Sequence, residues 1–140
     1  MLMYYCIKRI IQWRWYKYMG FEFDNNIPIY IQLVEQLKVY IISGVIKPGE
    51  RLPSVRDFAQ EYKVNPNTMQ KALVELEEMK LIYTERTNGK FVTEDQELIY
   101  KYKKEYADGI VYKFFSIMND IGFDEKETME YLKKLGGDNL

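Results

Sequence analysis

Within the seven residues Asn65-Pro66-Asn67-Thr68-Met69-Gln70-Lys71 the chain gathers three side-chain amides, a hydroxyl and an ammonium. An amide presents a donor and an acceptor side by side, which suits flat hydrogen-bonding edges such as that of adenine. Arg56 lies upstream, and Arg86-Thr87-Asn88-Gly89-Lys90 downstream sets two cations around an Asn-Gly pair. This is the chemistry of recognition, not of bond breaking. Histidine is absent and Cys6 is the only cysteine, which removes His-based triads, His metal sites, Cys-based zinc sites and internal disulfides. No carboxylate stands out from an ordinary charged surface, so neither enzyme activity nor a metal or other cofactor is expected.

Elements must aim these groups, and the sequence supplies them in order. Pro28 opens a helix at a position that tolerates its fixed φ, and Tyr30, Leu33, Val34, Leu37, Ile41 and Ile42 recur at steps of three and four. Ser43-Gly44 ends it, and Lys47-Pro48-Gly49-Glu50 reads as a turn. Ser54 is placed to cap a short second helix whose inner face is Val55, Phe58, Ala59 and Tyr62, ending near Lys63. Asn65 then caps a third helix with Pro66 at its first position, and Met69, Ala72, Leu73, Leu76 and Met79 form its buried stripe. Leu81–Glu85 and Phe91–Thr93 read as strands flanking Asn88-Gly89, two residues that both tolerate the positive φ of a tight hairpin.

The order helix, helix, short turn, helix, hairpin is the layout of a winged helix-turn-helix. Its turn exposes the start of the third helix, where Asn67, Thr68, Gln70 and Lys71 can enter a major groove and the capped N-terminus favours phosphate. Ser54 and Asn65 belong to that surface as caps. Arg56 and Lys71 add cationic contacts, and Arg86, Asn88, Gly89 and Lys90 lie at the wing tip. Taken singly, each of these residues is equally well explained as solvated surface on a small core. A core by itself does not require Asn-Pro-Asn-Thr in that slot.

The net charge is −1, and its distribution is uneven. Residues 1–18 carry Lys8, Arg9, Arg14 and Lys17 without an acid, so the remainder is net acidic and any DNA affinity rests on locally placed cations. This aromatic, basic stretch lacks the apolar run and cleavage site of a secretory signal. Met19 reads as the natural start, and a membrane-surface or nucleic-acid-binding arm is the rival reading. No apolar run reaches the ~20 residues of a membrane span, and a cytoplasmic protein without membrane contact is expected.

From Glu94 onward the chain turns acidic and helical. Tyr102, Tyr106, Ile110, Phe114, Ile117 and Ile121 follow steps of mostly four. Gly122 closes this helix, and Asp124 with Glu127 forms a capping-box pattern before a second stripe of Met129, Leu132 and Leu135. Two helices cannot bury that much apolar surface alone, so the six-residue stripe is read as a dimer seam. An aromatic pocket around Tyr102, Tyr106, Phe114 and Phe115 is the alternative.

Residues Pro28–Val92 resemble the DNA-binding domain of the GntR family of bacterial regulators. The likeness is carried by Pro28-Ile29-Tyr30-Ile31-Gln32-Leu33, Ile42-Ser43-Gly44, Pro48-Gly49-Glu50-Arg51-Leu52-Pro53-Ser54-Val55-Arg56, Thr68-Met69-Gln70-Lys71-Ala72-Leu73 and Gly89-Lys90-Phe91-Val92. The short C-terminal region and Asn65-Pro66-Asn67-Thr68 are most similar to the YtrA-like subgroup. The resemblance implies that Arg56, Asn67, Thr68, Gln70 and Gly89 touch DNA. It also implies a repressor of a neighbouring operon, often one for an ABC transporter. Pro66 and Gln70 stand where many members carry a basic residue, Lys80 where Gly is common, and Thr87 in place of the first wing glycine.

The expected fold is therefore mainly α with a small β-hairpin: an extension (1–18), a winged helix-turn-helix (19–93) and a two-helix dimerisation or effector region (94–140). The expected partners are a near-palindromic operator in double-stranded DNA, a second copy of the chain, and an effector that no residue identifies. A winged-helix module that binds protein instead of DNA is the alternative.

Overall fold

The computed structural model describes residues 23–137 of the 140-residue chain; the basic stretch and the Met19 start lie outside them. Five helices and one hairpin follow in order: α1 (Ile29–Ile42), α2 (Val55–Tyr62), α3 (Pro66–Glu78), β1 (Ile82–Glu85), β2 (Gly89–Val92), α4 (Gln96–Asp120) and α5 (Glu125–Gly137). The mainly α, winged-helix expectation holds. The chain divides into two compact units, the first ending at Tyr100 and the second beginning at Lys101. The division falls within α4 rather than at Glu94.

In the first unit the apolar spacing of α1 becomes burial. Leu33, Leu37 and Ile41, four apart, are all but inaccessible to solvent, because such steps return to one face of a helix. Pro28 offers α1 no side-chain cap. The Gln32 amide closes the entry instead. Its Nε2 donates to the carbonyls of Asp24 (2.8 Å) and Ile27 (2.7 Å), and its Oε1 accepts from the Asp24 N–H (2.8 Å).

α2 starts on Ser54, whose Oγ accepts from the Asp57 N–H at 3.1 Å and donates to Asp57 Oδ2 at 2.7 Å. It stops at Lys63, left-handed at φ 55, with the Val64 N–H returning to the Ala59 carbonyl at 2.9 Å. Three residues later α3 begins. It packs on α1, α2 and β1 through Met69, Ala72, Leu73 and Leu76, all fully buried. α3 is thus the central helix of the unit, and its other face is left to solvent.

β1 and β2 pair antiparallel in the register Ile82–Val92, Tyr83–Phe91, Thr84–Lys90 and Glu85–Gly89. The turn is not the two-residue Asn-Gly hairpin expected. Asn88 keeps a negative φ and only Gly89 is left-handed, at φ +99. The Asn88 N–H bonds to the Glu85 carbonyl at 3.2 Å, so Arg86 and Thr87 form the centre of a turn that Gly89 closes. β2 has a second neighbour that no local pattern announces. Leu52 N–H donates to the Lys90 carbonyl (2.8 Å) and Val92 N–H to that of Glu50 (2.9 Å), which places Arg51 opposite Phe91. Gly49, just before this segment, is left-handed at φ +75, a conformation that suits glycine.

In the second unit Gly122 turns the chain at φ +99, and the expected capping box forms reciprocally. Glu127 N–H donates to Asp124 Oδ1 at 2.8 Å, and Asp124 N–H to Glu127 Oε2 at 3.0 Å. Among the described residues from Lys101 on, only Thr128 is buried.

Candidate nucleic-acid interface

The exposed side of α3 follows from its buried side. With positions 69, 72, 73 and 76 turned inward, Asn67, Gln70, Lys71 and Val74 fall at i, i+3, i+4 and i+7 and form one exposed stripe. Thr68 lies half-buried at its border. Asn65 is a cap in fact: its Oδ1 accepts from the Asn67 N–H at 2.8 Å, and Pro66 contributes no N–H to be satisfied. The amides of Asn67 and Gln70 stand beside the positive end of α3, where hydrogen-bonding groups and anions are both favoured. Arg56, the second residue of α2, is exposed, whereas Ser54 is occupied with Asp57.

Lys71 is steered. Its ammonium sits 3.6 Å from the centre of the Tyr30 ring, a cation–π arrangement that tethers a flexible side chain at one end of the stripe. The sequence spacing gives no sign of it, because Tyr30 lies on α1.

Around the hairpin the residues separate by face. Alternation along β2 sends Val92 and Lys90 inward. Lys90 Nζ lies 2.9 Å from Thr84 Oγ1 and 3.2 Å from Glu77 Oε2, and Thr84 Oγ1 donates to Glu77 Oε1 at 2.7 Å. The Thr84 hydrogen bond, followed by Lys90, holds the Glu77 carboxyl below the usual carboxylate range. Lys90 therefore anchors the hairpin to α3 and does not extend from its tip, where the sequence reading had put it. Arg86 lies exposed in the turn, and Asn88 Nδ2 donates to Glu85 Oε2 at 3.1 Å. On the outer face Tyr83 stacks on Phe91 with ring centroids 5.7 Å apart.

The model of the bacterial regulatory proteins of the gntR family matches residues 29–92, from the start of α1 to the end of β2. Over 115 residues the chain is 32% identical to YhcF, an HTH-type transcriptional regulator of Bacillus subtilis (strain 168), across 82% of this chain and 95% of that protein. The chain belongs to the GntR family of bacterial regulatory proteins. It is also 42% identical over 71 residues to the HTH-type transcriptional repressor YtrA of the same organism, covering 51% of this chain and 55% of YtrA. Among solved structures it is similar to a GntR family transcriptional regulator from Listeria monocytogenes, at 38% identity and a TM-score of 0.74 over 80% of this chain and 98% of that one.

GntR membership identifies a DNA-binding transcriptional regulator, and it explains one departure in the sequence. Lys80, where Gly is common, has φ 59; a left-handed residue is needed there, and Lys adopts it at a cost that Gly avoids. A recess of about 130 Å³ is lined by Tyr40, Leu52, Phe58, Glu61 and Tyr62, below the several hundred cubic ångströms of small-molecule sites. Burial, then the neighbouring Tyr40 and Glu61, pushes the Tyr62 phenol upward, so it stays neutral. In the second unit Tyr106, Ile110, Phe114, Ile117 and Ile121 are exposed and Tyr102 is half-buried. No helix among the described residues is long and apolar enough to cross a membrane.

Proposed function

We propose that this GntR-family protein is a cytoplasmic repressor that binds a near-palindromic operator as a homodimer. In this reading each protomer lays the Asn67-Gln70-Lys71 stripe of α3 in a major groove, the two grooves about one helical turn (~34 Å) apart. Arg56 and the N-terminus of α3 hold phosphates, while Arg86, Asn88 and Gly89 follow the backbone beside the groove. The observation that carries the reading is the stripe itself: two exposed amides and a tethered cation on one face of a capped helix start. With glutamine at position 70, adenine is the base this surface suits best.

Homodimerisation is supported by the second unit. Tyr106, Ile110, Phe114, Ile117 and Ile121 follow one side of α4 and are exposed, and among its described residues the unit buries only Thr128. YtrA is named a repressor, which favours repression by occlusion of a promoter. A neighbouring transporter operon is the target this subgroup suggests.

Footprinting of the full chain on DNA upstream of its own operon tests the proposal. Protection of two half-sites one turn apart is expected. Gln70→Ala should cost roughly 1–3 kcal/mol of discrimination at the base it reads, Arg56→Ala should weaken binding to all sequences alike and flatten its salt dependence, and both should leave the fold intact. The absence of salt-sensitive, sequence-selective binding would favour a protein-interaction module instead.

A further inference from the structure

Arg51 stands outside the interface described so far, yet the wing sheet carries it toward the hairpin tip. Its backbone sits opposite Phe91, fixed on either side by the Leu52–Lys90 and Glu50–Val92 hydrogen bonds. Because Lys90 and Val92 face α3, residues 89 and 91 face outward, and Arg51 lies on their side. Its Nε and Nη2 come to 3.5 and 3.7 Å from the point that a Cβ on Gly89 would occupy. The guanidinium thus lies beside the turn, at van der Waals distance from where a side chain at position 89 would begin. Arg51 is exposed and takes part in neither of the ion pairs formed among the described residues.

We propose that Arg51 is a phosphate-binding residue of the wing, delivering its guanidinium to the DNA backbone beside Gly89. The planar fork of a guanidinium matches two phosphate oxygens at once. Gly89 supplies the left-handed turn beside which Arg51 lies. The inference rests on the DNA-binding reading and adds a contact that positions the protein without reading sequence.

The test compares the full-length wild type with Arg51→Ala on two duplexes of equal length, one selected from a randomised pool by the wild type and one scrambled. Arg51→Ala should weaken binding to both by the same factor, on the order of ten. It should also make the slope of log affinity against log salt shallower by about 0.9 per protomer. Arg51→Lys should recover the slope while recovering affinity only in part, since the charge remains and the fork does not. Arg51→Gln, neutral and of similar length, gives the same reading if alanine perturbs the sheet. An unchanged slope in both neutral variants, or a loss confined to the selected duplex, overturns the assignment. If the wild type binds neither duplex, it is the DNA-binding reading that fails.

Discussion

On α3, Met69, Ala72, Leu73 and Leu76 are 0% exposed, whereas on α4 Ile110, Ile117 and Ile121 are 57%, 51% and 64% exposed. Both helices carry an apolar stripe at helical spacing, so composition does not separate them. What differs is what the rest of the chain brings to each stripe. α1, α2 and the hairpin all pack against α3, and every position of this buried stripe finds a neighbour. Among its described residues the second unit buries only a threonine, Thr128. The first unit encloses a core of its own, whereas the apolar stripe of the second stays exposed, and the dimer proposed above would cover it.

This contrast can be broken at several points. Leu73→Ala opens a cavity at a fully enclosed position of the first unit and should cost about 3 kcal/mol in urea denaturation. A loss below about 1 kcal/mol would mean that the unit is looser than its burial indicates. Phe114→Asp should leave that stability nearly unchanged but raise the dimer dissociation constant roughly 100-fold, about 2.7 kcal/mol. Sedimentation of a persistent dimer would move the seam elsewhere. Asn65→Ala removes the cap of α3 and should cost about 1 kcal/mol, visible as a lowered thermal midpoint together with weaker DNA binding.

Glu77 gives a prediction with a pH signature. Its carboxyl is held below the ordinary range in the folded state, so its contribution to stability is fully present above the ordinary carboxylate range and is lost as pH falls below that range, through the lowered folded value. Glu77→Gln should therefore be less stable than the wild type at pH 7, and the difference should shrink as the pH is lowered into the acid range. A difference that does not shrink on acidification would assign the loss to packing. The smallest effect belongs to Lys80→Gly, which should stabilise by about 0.5 kcal/mol because φ 59 suits glycine. A destabilisation would show that the Lys80 side chain makes a contact of its own.

Local signals in the sequence were the readable ones. Asn65 before Pro66 and Asp124 three before Glu127 are caps whose partners lie within one turn, and both form as their spacing requires. Buried stripes at steps of three and four were equally legible. The sequence did not disclose pairings between distant segments: Gln32 closing the turn at Asp24, Lys71 over Tyr30, Lys90 on Glu77, and Glu50–Leu52 alongside β2. This is why Lys90 read as a tip residue and Arg51 went unnoticed. The Asn-Gly signal located the turn but not its type, because Arg86 and Thr87 take the central positions and leave only Gly89 left-handed.

The strand-like pairing of Glu50–Leu52 with β2 also orders events in time. Glu50 and Val92 are about forty residues apart, and closing a loop of that length carries an entropic cost that contacts within α1, α2 and α3 do not bear. On a growing chain the three helices can collapse while the sequence beyond Thr84 is still unmade. β2, paired with β1 on one side and with Glu50–Leu52 on the other, is expected to join last, in one step that completes the wing. Mutations at Leu52 or Val92 should accordingly speed unfolding more than they slow folding, and until that step Arg51 and Gly89 have no fixed relation to each other.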